Sequence, residues 1–267
     1  MAVVFCNNNI EKVMYSGYTI DKIYACGGKI VYSGSTPPTP PDNWKAKVYS
    51  NDSTFGDLYA YIDCSSTSSI TSSDTASWVA STSGGQRVPI AITDINALWI
   101  GDCTTSIERN AFKGFTGLQY ISNFGANLVS IGNTAFSGDT SLERVTFGCK
   151  LQTIGNGAFN SCTSLSSITF CYSDCALTTI GGSAFYGCTS LTSVTIPNTV
   201  TSIGSTVFSN CTNLTRIYMT SSTPPSLGPY AFYNVSPNFD IIVPQGSLNA
   251  YKTASGWSEY ANIIYTT

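Results

Sequence analysis

The chain has 267 residues, 42% of them apolar and only 10% charged, with a formal net charge of −3. That balance supports a packed core, excludes a disordered chain, and gives no electrostatic ground for binding nucleic acid or an acidic membrane. Histidine is absent, which removes Ser-His-Asp and Cys-His catalysis and any histidine-ligated metal.

The start, MAVVFCNNN, shows no basic leader and no long apolar stretch, so no secretory signal is read and another export route is expected. No run of 18 apolar residues occurs, so no membrane-inserted helix is expected. Residues 1–34 hold the strand patterns KVMY (12–15), KIY (22–24) and KIVY (29–32), the last two separated by a Gly27-Gly28 turn signal. So small a sheet is marginal alone in water. It reads either as the trimmed end of a larger domain or as an attachment element, and the segment weakly resembles short modules of phage virion proteins. Residues 35–42, with STPPTPP, form an extended proline-rich linker and the clearest domain boundary. Residues 43–94 carry strand-like AKVY (46–49) and LYAYI (58–62), then the polar tract SSTSSITSSDTAS. They are expected to cap the open N-terminal end of a repeat array, with the Ser/Thr tract as part of that cap or a loop on it.

Residues 95–234 repeat. An Ala-Phe or Val-Phe pair recurs with its ring at Phe112, Phe136, Phe159, Phe185, Phe208 and Phe232, in steps of 24, 23, 26, 23 and 24 residues. A fixed period in this range signals a solenoid, whose coils bury their apolar faces on one another. One copy places apolar residues at Ile180, Phe185, Cys188, Leu191, Val194 and Ile196, and its end alternates like a short strand. Gly155, Gly181, Gly204 and Gly228 recur at a corner that needs either φ > 0 or close backbone approach. At strand spacing, about six coils span on the order of 30 Å. A half copy at Leu98-Trp99-Ile100 opens the array. One residue is inserted between Ile121 and Phe124, and three between Phe170 and Leu177, where CYSDCA should project. Residues 235–267 form a C-terminal cap in which Tyr251, Trp257 and Tyr260 can shield the last coil.

The pattern IGxxAFxxCxxLxxVxIPxxVxxIG resembles the leucine-rich repeats of the BspA-like type, common in surface proteins of gut and oral bacteria. The resemblance runs from about Leu98 to the C-terminus and includes the closing segment IIVPQGSLNAYKTASGWSEYANII. It implies a right-handed curved solenoid with a binding role and does not imply an enzyme, and none is expected. The expected fold is therefore mainly β with short helical or irregular turns: a leucine-rich-repeat solenoid with an N-terminal β element and terminal caps.

Ten cysteines invite a metal or disulfide. Cys162, Cys188 and Cys211 share a repeat column with Phe115, Asp139 and Val235, and a column that accepts Phe and Val is a core column. At Asp139 either the core is wetter or the side chain turns outward. Cys149 and Cys175 each precede a core Leu by two residues and should stack; a disulfide from Cys149 or Cys171 to Cys175 is the alternative to free thiols. Cys6, Cys26, Cys64 and Cys103 lack ligand spacing, so no metal site is expected. Neither a catalytic constellation nor a cofactor motif is found, the acids Glu108, Glu143 and Asp139 being dispersed.

A binding face is the remaining candidate. Stacking the copies places Tyr120, Arg144, Ser167, Ser193 and Arg216 in one outward column, and Thr146, Thr169, Thr195 and Tyr218 in its neighbour. Such polar ladders commonly serve only as solvated faces, but Tyr and Arg are what a protein or glycan contact uses. Together these features point to a structural display protein on a bacteriophage virion surface, a head or tail fibre or decoration protein presenting its repeats to a host. Its partners would be other virion proteins through residues 1–34, a host surface protein or glycan, and further copies of itself. The alternatives are an adhesin of the bacterial cell surface and a protein-interaction scaffold inside the cell.

Overall fold

The computed structural model describes residues 69–75 and 91–267, except the side chains of 74, 122 and 123 and all of 172 and 173; before residue 91 it otherwise describes only the backbone of strands. The strand expected at 12–15 and the linker at 35–42 lie outside the described residues.

Strands β1 (Val3–Cys6), β2 (Ile10–Glu11), β3 (Ile23–Cys26) and β4 (Lys29–Ser33) come first. After them lie β5 (Trp44–Asp52), β6 (Gly56–Asp63), β7 (Ser69–Ile70), the one-turn helix α1 (Ser72–Thr75), and the pair β8 (Trp78–Ser81) and β9 (Arg87–Ile90). From β10 (Ile95–Ile100) onward each coil gives a two-residue strand and a longer one. These are β11 (Ser106–Ile107) and β12 (Tyr120–Phe124), β13 (Ser130–Ile131) and β14 (Arg144–Thr146), β15 (Thr153–Ile154) and β16 (Ser167–Thr169). Next come β17 (Thr179–Ile180) and β18 (Ser193–Ile196), β19 (Ser202–Ile203) and β20 (Arg216–Met219), β21 (Ser226–Leu227) and β22 (Asp240–Val243). Helix α2 (Leu248–Thr253), a 3-10 turn and β23 (Ile264–Thr266) end the chain. No helix among the described residues is long and apolar enough to cross a membrane.

The short strands pair in parallel into one seven-stranded sheet, β7 through β21. The long strands form the opposite face. There β10, β12, β14 and β16 run parallel, and antiparallel β5 and β6 continue from β10 toward β4, β3, β1 and β2. Switching from parallel to antiparallel lets a hairpin cover the first open coil. The extra residue between Ile121 and Phe124 appears as a bulge, with Leu98 opposite Ile121 but Trp99 opposite Asn123. Ile70, from the Ser/Thr tract, is fully buried and pairs with Ile107. The Thr75 hydroxyl then donates to the Ala111 carbonyl. A coil position is thus concealed in what the sequence offered as cap or loop.

Between the two faces, the repeat phenylalanines form a spine. Successive rings from Phe112 to Phe208 lie 5.1–5.5 Å apart and within 7° of parallel, and Phe232 comes next at 6.1 Å. Burying each ring contributes about 2–3 kcal/mol. The Ala before each Phe, or Val207 before Phe208, is buried because the coils touch there through the backbone: Phe136 N donates to Ala158 O at 2.8 Å, and Phe159 N to Ala184 O at 2.8 Å. Of the two roles open to the corner glycines, close approach is the one used. A Cβ at Gly204 would lie 2.3 Å from Gly182 N, whereas the left-handed residues of each coil flank the Ala-Phe pair, as at Thr206 (φ 52°) and Asn210 (φ 61°).

Cys162, Cys188 and Cys211 are fully buried, and each thiol donates to a phenylalanine carbonyl of the preceding coil, as Cys162 does to Phe136 O at 3.2 Å. Burial raises all three thiols, Cys211 to about 12. Asp139 does not turn outward: it is fully buried in the same column, its Oδ1 accepts from Phe115 N at 2.9 Å, and its Oδ2 has no partner. Desolvation holds this carboxyl well above the usual carboxylate range, so its neutral form is the one that fits.

At the far end Tyr251 and Trp257 are buried. The indole packs 6.2 Å from the Phe232 ring and donates to Pro225 O at 2.7 Å. The Tyr251 hydroxyl donates to Ser221 O at 2.9 Å, and Tyr260 meets Phe232 edge-on at 5.2 Å.

Candidate binding face

On each long strand the central residue points inward, as Val145, Ile168, Val194, Ile217 and Ile241 do, so its neighbours must point out. The ladder registers these outward residues directly: Tyr120 with Arg144, Arg144 with Ser167, and Thr146 with Thr169. A second run pairs Ser193 with Arg216, Thr195 with Tyr218, and Arg216 with Asp240. Tyr120 is 41% exposed; Arg144, Thr146 and Arg216 are exposed, while Thr169, Thr195 and Tyr218 are half-buried.

The two runs do not join. β16 ends one sheet and β18 begins another, so the expected continuous columns are interrupted between Ser167 and Ser193. The interruption coincides with the three-residue insertion. Cys171 in that insertion is disulfide-bonded to Cys149 of the preceding coil, with Cα atoms 5.0 Å apart. This replaces the pairing with Cys175, which keeps a free thiol. Cys175 still stacks near Cys149 in the backbone, since Ala176 N donates to Cys149 O at 2.9 Å. Cys103 is also disulfide-bonded.

Two depressions mark the face among the described residues. One, about 430 Å³, lies at the interruption and is lined by Thr169, Thr195, Asn198 and Thr220 among others. The other, about 440 Å³, lies at the end of the second run between Arg216, Tyr218, Asp240 and Tyr265. The seven candidate residues therefore separate into three places: Tyr120, Arg144 and Thr146 on the first run, Thr169 and Thr195 in the cleft, and Arg216 and Tyr218 beside the end depression. Asn198, Thr220, Asp240 and Tyr265 were not singled out from the sequence. For the first two the only available signal was the nearby insertion.

The family model described as BspA type leucine rich repeat region, in six copies, matches residues 91–177 and 174–255. No curated protein matches the sequence. Among solved structures the chain is similar to a leucine rich repeat protein of T. pallidum, at 20% identity and a TM-score of 0.43, covering 70% of this chain and 92% of that one. It is also similar to the pneumococcal vaccine antigen PcpA, at 17% identity and a TM-score of 0.40, covering 54% of this chain and 52% of that one. A third is a leucine rich cell surface protein of Faecalibacterium prausnitzii, at 21% identity and a TM-score of 0.40, covering 80% and 57% respectively. The chain thus spans only about half the length of the second and third.

Proposed function

Because the chain belongs to the BspA-type leucine-rich repeat family, we propose that it is a non-enzymatic binding protein of the bacterial cell surface, whose long-strand face holds a protein or glycan of another surface. The observation that carries this is the register of that face. Its outward residues stack in hydrogen-bonded columns that include Tyr120 with Arg144 and Arg216 beside Tyr218, residue types enriched where proteins bind. The Cys149–Cys171 disulfide supports a location outside the reducing cytoplasm. The virion reading drew much of its support from residues 1–34, which the family match does not cover. The family match favours the cell-surface alternative over the virion, and the disulfide disfavours the scaffold inside the cell.

Intact source cells treated with a membrane-impermeant biotin reagent should yield the labelled protein; labelling only after lysis overturns the surface assignment. Purified protein added to epithelial cells should bind, and Arg144→Ala with Arg216→Ala should weaken binding at least tenfold by flow cytometry. Unchanged binding would remove the face from the contact.

A further inference from the structure

Every neighbouring pair of long strands from β10 to β16 and from β18 to β23 closes through ladder hydrogen bonds, except β16 and β18. That junction is also where the repeat lengthens from 23 or 24 residues to 26, and where the added segment is tied back to Cys149. Insertions that leave a solenoid's core intact appear on its surface and commonly shape its binding face. Here the core is intact, since Phe159 and Phe185 still stack at 5.4 Å. The length difference is taken up on the long-strand face, where the cleft of about 430 Å³ opens.

The lining selects among ligand classes. Its floor is apolar, formed by Ile168 and Phe170, which are almost buried. Its walls are lined by Thr169, Thr195, Thr220, Asn198 and Asp174, the Thr220 hydroxyl donating to Ile196 O at 2.9 Å and keeping its acceptor capacity. The Thr199 hydroxyl on the same wall is buried without a hydrogen-bond partner. Among the described residues no cationic side chain lines the cleft, and one carboxylate does, so an anionic ligand is disfavoured. Too little apolar surface is exposed for a lipid or a hydrophobic peptide. A neutral, hydroxyl-rich ring matches both features: its C–H face suits the floor, and its hydroxyls, each both donor and acceptor, suit threonine, amide and carboxylate partners. The volume is at the small end of ligand sites, the size for one or two rings.

We propose that the cleft between β16 and β18 is a subsite for a neutral sugar unit, with Thr195 and Asn198 as its principal polar contacts. This rests on the long-strand face being the binding face. A longer glycan would continue from the cleft along the Thr169 and Thr146 column, which the ladder holds in line.

The test uses the full, unreduced chain with glucose, galactose, mannose and N-acetylglucosamine as probes, read by saturation-transfer NMR. Cys175, a free thiol on the cleft wall, supplies a second readout through its rate of alkylation by iodoacetamide. At least one sugar should show transfer and slow that alkylation, and Asn198→Ala or Thr195→Val should weaken its binding about tenfold or more, as loss of a key hydrogen bond does. No binding by any of the four, or binding unchanged in both variants, overturns the proposal. The cell-binding assay separates it from the broader reading. Binding lost in the Arg144/Arg216 double variant, with no sugar recognised, keeps the face and removes the cleft. Sugar binding lost in the cleft variants, with cell binding indifferent to both arginines, keeps the cleft and removes those columns.

Discussion

Phe185 lies between two nearly parallel rings, Phe159 at 5.4 Å and Phe208 at 5.5 Å. Its neighbours are held in register by backbone hydrogen bonds and cannot collapse into the space it fills. Phe185→Ala should therefore destabilise the chain by about 3–5 kcal/mol in a urea melt; a loss below about 1 kcal/mol would contradict the packed spine. Asp139 is the residue at odds with its column. Unfolded, its carboxyl ionises near pH 3.9, whereas burial raises it in the fold. Its contribution is therefore complete below about pH 3.9 and is lost as pH rises through the raised value, by at most about 1.4 kcal/mol per pH unit. Asp139→Cys, which matches the next three members of its column, should melt above the parent at pH 8, and the gap should narrow at pH 4. A gap equal at both pH values would show that the carboxyl titrates alike in both states.

At the scale of an element, coils meet through three sets of backbone contacts: the short strands, the Ala-Phe corner and the long strands. The corner before each Ala-Phe pair leaves no room for a side chain. Gly204→Ala would set a methyl 2.3 Å from Gly182 N, and relieving it should cost about 1–3 kcal/mol in thermal or chemical unfolding. Gly148→Ala is the control, because its Cβ would meet only Gly125 O, at 3.3 Å. Equal costs at the two glycines would mean that coil approach is not what selects glycine. The period revealed these glycines, but only the stacked coils show that the requirement is space rather than φ.

For the whole molecule, the long-strand sheet continues past the coils: β10 pairs with β5, β5 with β6, and β6 with β4. A chain beginning at Asp42 would lose β1–β4 and leave the eight residues of β6 as an unpaired edge, open to strand addition. It should keep the cooperative melting of the coils, because β5 and β6 remain on β10, while associating with rising concentration in size-exclusion chromatography. Loss of cooperative melting would make the N-terminal strands part of the solenoid core. A strictly monomeric product would mean that the edge is covered in some other way.

The solenoid, its inward columns and the aromatic closure at Tyr251 and Trp257 were legible in the sequence. Each coil buries the same positions against the next, so selection on packing is written as a period. Four features were decided only by tertiary structure. Ile70 joins the first coil from a tract without periodic neighbours, so nothing local announced it. Asp139 points inward because its backbone register leaves it no other direction. Cys149 bonds Cys171 rather than Cys175 because the insertion, outside the repeat, carries its own geometry. The cleft lies where that insertion follows β16 and the ladder to β18 is missing, although the two strand sequences, SIT and SVTI, are those of ordinary partners. Periodicity records what every coil shares, and is silent where one coil departs from it.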